Sequence, residues 1–378
     1  MPEKCKPTNT GDFLFAILVL ALVVFGIVMV FSAGSYVSMV EYGDSYYYLK
    51  RAGMWAGAGL GAMLVALLVP YRFYFRLAPF IMLGSVFLLG LLFTSLAVIR
   101  NNAARWLGVG ELTIMPGEIA KVAVILFVAW YLSAKPNRIR SFLRGPLPML
   151  AVGALCFFMI AKQPNLSTAI IVFGLIIGMI FIAGIKWSHF AILATGAVSS
   201  FIFLFLYLRE KDPDGYQMRR ITSFMNPFAY IQDDGWQAVQ SLLAFGAGGV
   251  LGSGLGKSIQ KAMYLPEGHN DFILAVIGEE LGLIGCLILL TVYLLLIYRG
   301  ARIAIHAPDR FSMLIAAGVT ILFAMQVVVN VAVVTSIAPN TGVALPFVSY
   351  GGNALLLYMF LAGLVLNISR YAKEVKPA

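Results

Sequence analysis

The stretch from Lys257 to Phe272 is the densest run of chemically capable side chains in a mostly apolar chain. It holds Lys257, Gln260, Lys261, Glu267, His269 and Asp271, and Glu279 and Glu280 follow within the next apolar run. Two readings of Asp271 stand side by side. A carboxylate one residue before an apolar helix is placed to cap it by accepting its free N–H groups. A carboxylate at a dry membrane rim, beside His269 and Glu267 and within reach of Lys257 or Lys261, is placed to act as a general base. Glu267, His269 and Asp271 also form a triplet that offers ligands to a divalent ion. Just upstream, Gly252-Ser253-Gly254-Leu255-Gly256-Lys257-Ser258 imitates a nucleotide-binding loop. That pattern needs a glycine where Leu251 stands, and no strand precedes it. Its glycines still permit tight turns and expose N–H groups to an anion.

Other chemistry-bearing residues sit inside apolar runs, where ionisable groups are costly and need partners. Glu279 and Glu280 fall roughly 12–14 Å along a helix from Asp271, at about 1.5 Å per residue. Glu118 and Lys121 are spaced to share a helix face. A Lys121 pairing with Glu118, Glu279 or Glu280 would dock two helices, and Lys121 is also placed to meet an anionic head group. Arg105, beside Trp106, is either a snorkelling arginine in an aromatic belt or a bidentate phosphate ligand.

These residues need elements to hold them. Apolar residues make up 61% of the 378 and charged residues 12%, against about 45–50% and about 25% in ordinary soluble domains. The chain therefore reads as an all-α polytopic membrane protein, a single domain over 1–378. Candidate spans lie near 13–33, 53–69, 78–98, 114–133, 146–162, 167–184, 188–208, 272–298, 311–334 and 351–368. Each is near the roughly 20 residues that a bilayer requires, which makes ten transmembrane helices. The first run exceeds the about 7–15 apolar residues of a cleaved signal and is kept as a span. A long loop, about 209–271, joins helices 7 and 8, and Trp236 to Val250 within it reads as a helix or re-entrant element. The prolines and glycines of 339–353 break any helix. Irregular backbone at membrane depth survives only where it is buried or lines a cavity, so this segment is expected to wall a cavity shared with Asp271.

The net charge of +10 does not indicate nucleic acid, because the basic residues are scattered among short loops. With both termini cytoplasmic, fifteen of them fall on the inner side and five in the short outer loops, as the positive-inside rule requires. Asp271 then faces outward, which removes an ATP-dependent role. Cys5, Cys156 and Cys286 are too few and too dispersed for a disulfide framework or a zinc knuckle.

Six segments, in this order, resemble the SEDS family, whose members FtsW, RodA and SpoVE act in bacterial division, elongation and sporulation. They are Asn101 to Trp106, Pro116 to Lys121, Gln163 to Thr168, Gln260 to Ile273, Gly278 to Gly282 and Leu345 to Gly352. The likeness runs from about residue 13 to 371, and the segments from Asn330 to Thr335 and from Leu366 to Tyr371 resemble the FtsW and SpoVE branch. The resemblance implies a peptidoglycan glycosyltransferase of the bacterial plasma membrane. Its substrate would be lipid II, an undecaprenyl-diphosphate-linked disaccharide peptide. Its partners would be a class B penicillin-binding protein and other divisome proteins, with a divalent cation, Mg or Mn, as cofactor. It implies Asp271 as the catalytic base, with Glu267 and His269 as supporting groups, and Arg105, Glu118 and Lys121 match further family positions; Lys257, Gln260 and Lys261, from the same stretch, complete the candidate substrate-binding set. Asn165 stands where the family usually carries Asp, so no role of that carboxylate carries over. Asn102, Met115, Gly117 and Asn353 are further departures. A lipid II flippase and a non-catalytic scaffold for the penicillin-binding protein are the rival readings.

Overall fold

A computed structural model describes residues 11–100, 103–109, 112–163, 165–211, 222–231 and 235–372. Three helices, α1 (Phe13–Tyr42), α2 (Tyr47–Leu68) and α3 (Tyr71–Leu91), lead into strands β1 (Ala97–Arg100), β2 (Ala103–Val109) and β3 (Leu112–Ile114). Then follow α4 (Pro116–Ala134), α5 (Pro146–Ala161), α6 (Leu166–Ile182), α7 (Trp187–Lys211), α8 (Trp236–Gly248), α9 (Ile273–Ile305), α10 (Arg310–Val334) and α11 (Gly352–Ser369). Among the described residues, seven helices are long and apolar enough to cross a membrane: α1, α2, α3, α4, α9, α10 and α11. The apolar helices α5 and α6 are shorter. The protein is a mostly helical, multi-pass membrane protein.

The helix starts follow capping chemistry. Asp12 accepts from Phe15 N at 2.9 Å, Asp309 and Ser312 form a reciprocal capping box, and Pro116 opens α4, where its missing N–H is harmless. Inside the bundle α4, α10 and α11 are the most enclosed, with α2, α3 and α9 on the periphery. Small residues let backbones meet without a hydrophobic drive from water. On the α2–α11 contact a side chain at Gly59 would meet Met359 Sδ at 2.5 Å, and one at Gly363 would meet Met63 O at 2.3 Å.

Two features depart from the sequence expectation. The mostly helical protein also carries a three-stranded antiparallel sheet, in the order β1-β2-β3 with a bulge between Val98 and Ile99, so it is not purely α. The helix expected over 78–98 consequently ends at Leu91 and begins earlier, at Tyr71. The first helix also runs on past 33 to Tyr42.

The second departure lies in α9, which breaks at Gly282 (φ 68°, ψ −168°). The glycine stretch that resembles a nucleotide loop splints this break. Ser253 N and Gly254 N donate to Glu279 O and Glu280 O, both at 2.9 Å, while Leu283 N and Ile284 N donate to Gly249 O and Val250 O at 2.9 and 3.2 Å. Buried backbone groups freed by the break are thus paired again. Only glycine fits there: a Cβ at Gly252 would lie 2.2 Å from Glu280 O.

Candidate active site

The segment before α9 closes on itself. Asn270 N and Phe272 N both donate to Glu267 O, at 2.9 and 3.4 Å, with Glu267 held at φ 58°. Trp236 Nε1 on α8 donates to Tyr264 O at 2.6 Å, which ties the segment to α8. The N-cap of α9 is Phe272 and receives no side-chain hydrogen bond. Asp271 therefore does not cap, and Asn270 instead donates its amide to Glu267.

Asn330 on α10 places Asp271. Its Nδ2 donates to Asp271 O at 2.8 Å and to Val343 O at 2.7 Å, clipping the segment before α9 to the loop after α10. Gly342, in that loop at φ +65°, leaves the space the carboxyl needs: a Cβ there would lie 3.1 Å from Asp271 Oδ2. The Asp271 carboxyl accepts no hydrogen bond among the described residues, and its residue is half-buried. Burial and the Glu267 carboxylate push it up to about 7, against the pull of Arg105. A carboxyl poised there holds and releases a proton near neutral pH.

Arg105 reaches the site from β2. Strand residues alternate in direction, and Arg105 shares a face with Leu107, which is buried against the bundle. Asn353, at the start of α11, donates to Thr113 O of β3 at 2.8 Å and anchors the sheet. Below Asp271, Lys121 Nζ and Glu118 Oε1 pair at 2.6 Å within α4. Tyr358 on α11 donates to Glu118 at 3.2 Å and accepts from Gln326 at 2.6 Å, and Asp271 lies within its electrostatic reach. Lys121 thus pairs with Glu118 of its own helix and with neither Glu279 nor Glu280.

Those two carboxylates serve the Lys257–Leu265 turn. Glu279 accepts from Ser258 Oγ, from Ile259 N at 2.8 Å and from Gln260 N at 3.3 Å. Glu280 pairs with Lys261 at 2.9 Å and accepts from Ser32 Oγ on α1 at 2.6 Å. Lys261 is thereby spent on a buried pair, and Gln260 contributes its backbone N–H. Lys257 is exposed, with its stem along Gly254. His269 turns away from a metal role. It is buried with its ring 4.2 Å from Tyr48 and 5.7 Å from Tyr350, and its carbonyl accepts from Tyr350 N at 3.0 Å. Burial pushes its imidazole down to about 4, so it is neutral. Among the described residues no group of three or more His, Cys, Asp or Glu side chains converges to hold a metal ion. The Glu267, His269 and Asp271 side chains do not form such a group.

Asn165 caps α6, accepting from Thr168 N at 3.4 Å. The amide therefore does the local work that a carboxylate would do, and its neighbour Ser167 donates to Thr341 O in the loop beside Asp271. Asn102 lies outside the described residues. Asn330, Gly342 and Ser32 escaped sequence reasoning as site residues. Asn330 had a readable signal, a polar side chain in the middle of an apolar run.

The family described as cell cycle protein, comprising FtsW, RodA and SpoVE, matches residues 12–374. Stage V sporulation protein E of Bacillus subtilis is 40% identical over 366 residues, 97% of this chain and 98% of its own. A probable peptidoglycan glycosyltransferase FtsW of Geobacter sulfurreducens is 39% identical over 369 residues, 97% of each chain. Among solved structures, a chain of a peptidoglycan synthase complex that coordinates polymerization and crosslinking superposes with a TM-score of 0.78 at 26% identity, over 96% of this chain and 98% of that one. The rod shape determining protein RodA of Thermus thermophilus gives 0.70 at 25% identity, over 98% and 100%. With the family match spanning nearly the whole sequence, the chain belongs to the FtsW, RodA and SpoVE family of cell cycle proteins.

Proposed function

We propose that the protein is a peptidoglycan glycosyltransferase that polymerises lipid II, with Asp271 as the general base. The observation that carries this reading is the Asp271 carboxyl itself. It is half-buried and free of side-chain hydrogen bonds among the described residues, and burial and Glu267 raise it to about 7 against the pull of Arg105. The acceptor sugar's 4-hydroxyl gives its proton to Asp271 as its oxygen bonds to the donor's anomeric carbon. The bond from that carbon to the diphosphate breaks, and undecaprenyl diphosphate leaves. A diphosphate departs without protonation where cations offset its charge. Arg105 is the cation placed for this, because its charge already acts on the Asp271 carboxyl. The Glu118–Lys121–Tyr358–Gln326 cluster floors the site and orients the head group.

The topology that goes with this reading has ten spans: the seven span-length helices, the shorter α5 and α6, and α7. Both termini are cytoplasmic, the Asp271 rim faces outward, and the single membrane domain lies in a bacterial plasma membrane. A class B penicillin-binding protein is the partner that cross-links the product, with other divisome proteins around the pair. A divalent cation would, on this reading, arrive with the diphosphate rather than sit in a protein-built site. Polymerisation of purified lipid II by the reconstituted chain is the test. Wild type is expected to make glycan strands and Asp271→Ala, folded to the same melting temperature, to make none. An Asp271→Ala protein that polymerises at the wild-type rate would defeat the assignment. Lipid II crossing vesicles without polymer would favour a flippase, and full cell function with Asp271→Ala would favour a scaffold.

A further inference from the structure

The turn between α1 and α2 reads Glu41-Tyr42-Gly43-Asp44-Ser45-Tyr46-Tyr47-Tyr48-Leu49-Lys50-Arg51. It is rigidly built. Gly43 closes α1 at φ 71° with its N–H on Met39 O, and Asp44 accepts from Tyr46 N at 2.9 Å and from Lys50 Nζ at 2.7 Å. The tyrosines do not scatter. Tyr42 and Tyr47 stack at 3.8 Å and 11°, and Tyr46 stacks on Phe31 at 5.5 Å and 10°. Arg51 lies over Tyr47 at 4.9 Å. Tyr48 meets both Tyr42 and Tyr47 edge-on, at 6.0 and 5.5 Å, and its other contacts are His269 and Tyr350, at 4.2 and 4.9 Å. A path of rings therefore runs from Tyr42 and Tyr47 through Tyr48 to His269, two residues from Asp271, with the Tyr46–Phe31 stack next to it in sequence but not part of it. Its buried end is Tyr48, 8% exposed, while Tyr42 and Tyr46 keep 49% and 54% of their surface.

An aromatic belt at a membrane interface would also collect tyrosines. A belt needs neither mutual stacking nor contact with the catalytic segment. Ring faces flanked by in-plane hydrogen-bonding groups suit a sugar: the apolar C–H face of a pyranose packs on the ring, and its hydroxyls meet polar neighbours. Glu41, which accepts from Tyr48 OH at 3.4 Å, together with Asp44 and the phenol hydroxyls, supplies those neighbours.

We infer that the Tyr42–Tyr46–Tyr47 corner is a saccharide-binding platform that holds the β-linked amino-sugar strand as it leaves Asp271. This rests on the glycosyltransferase reading. A strand held close to the site stays at high effective concentration for the next addition, so the platform sets strand length. The experiment reconstitutes the full chain with lipid II and measures mean strand length and the ratio of new chain ends to bonds formed. Soluble N-acetylglucosamine hexamer is titrated against the same preparations, with saturation-transfer NMR as the readout. Tyr42→Ala combined with Tyr46→Ala is expected to shorten strands at least threefold, to raise the ratio of ends to bonds by the same factor and to abolish hexamer binding. Tyr46→Phe, which keeps the ring, is expected to stay near wild-type length. Unchanged strand length in the double variant, at wild-type melting temperature, overturns the platform and leaves a lipid-facing belt. If the double variant melts early, hexamer binding by wild type, competed by longer strands, decides the matter, and its absence overturns the proposal. A wild type that makes no polymer sinks the glycosyltransferase reading instead.

Discussion

Two groups of carboxylates flank one short stretch of chain, and they are treated in opposite ways. Glu279 and Glu280 are filled with donors: a hydroxyl and two backbone N–H groups on one, a lysine and a serine on the other. Asp271 accepts none from the described side chains and faces one repelling carboxylate and one attracting arginine. A carboxylate filled with donors is held in one place and serves the fold. An undersaturated one stays responsive, at a cost in stability, and such positions are where chemistry is found. Donor count separates them. Exposure differs as well, with Glu279 and Glu280 buried at 1% and Asp271 half-buried.

Substitutions at the two sites should therefore fail differently. The largest effect belongs to Asp271→Asn: loss of glycan polymerisation by about 10²–10⁴-fold, the range for removing a general base, with the melting temperature kept or raised. Glu280→Ala should do the reverse, leaving Lys261 unpaired in the bundle. Breaking such a pair costs about 3–5 kcal/mol, visible as lost folded yield and early melting in detergent. If Glu280→Ala melted normally and only lost activity, the contrast would collapse.

Next comes the clip. Asn330→Ala frees the Asp271 carbonyl and the Val343 carbonyl together. The expected loss is up to about 10²-fold in kcat, the scale of a misplacement near 1 Å, with KM little changed. Gly342→Ala should resemble it, since the added methyl sits 3.1 Å from Asp271 Oδ2 in a left-handed backbone.

The pH response is smaller and has a definite sign. Asp271 is raised from 3.8 to about 7 in the fold, so the folded state favours its protonated form. Its contribution to stability falls as pH rises from about 4 through about 7, while the base form grows and polymerisation rises across pH 7. Asp271→Asn should remove that slope from melting temperature against pH. A rate that is flat from pH 6 to 8 would remove the base from Asp271. The smallest effect is expected at His269. His269→Phe should keep activity and its pH profile, because the ring is neutral and packs on Tyr48 and Tyr350. His269→Ala should lower stability by about 0.5–1.5 kcal/mol for each aromatic pair lost.

The membrane class and most helix positions were legible because length and apolarity are local properties. The strands of 97–114 were not. A stretch of Ala, Val, Ile and Leu at the end of a span reads as helix, although Asn101-Asn102 and Gly110-Glu111 between alternating residues are hairpin signals. Lys121 illustrates a different limit. Spacing put Glu118 on its face, but Glu279 and Glu280 were equal claimants until the packing of α9 was known.

The sequence by itself determined that this is a membrane protein, where its polar residues interrupt the spans, and which family it resembles. Only the tertiary structure decided that Gly249–Gly254 splints a broken helix rather than cradling a phosphate. It also decided that Asp271 caps nothing, and that Lys261 is occupied while Arg105 is brought to the site. The reason is physical: a side chain's type is written in the chain, but how many of its hydrogen bonds are already taken depends on segments far away in sequence.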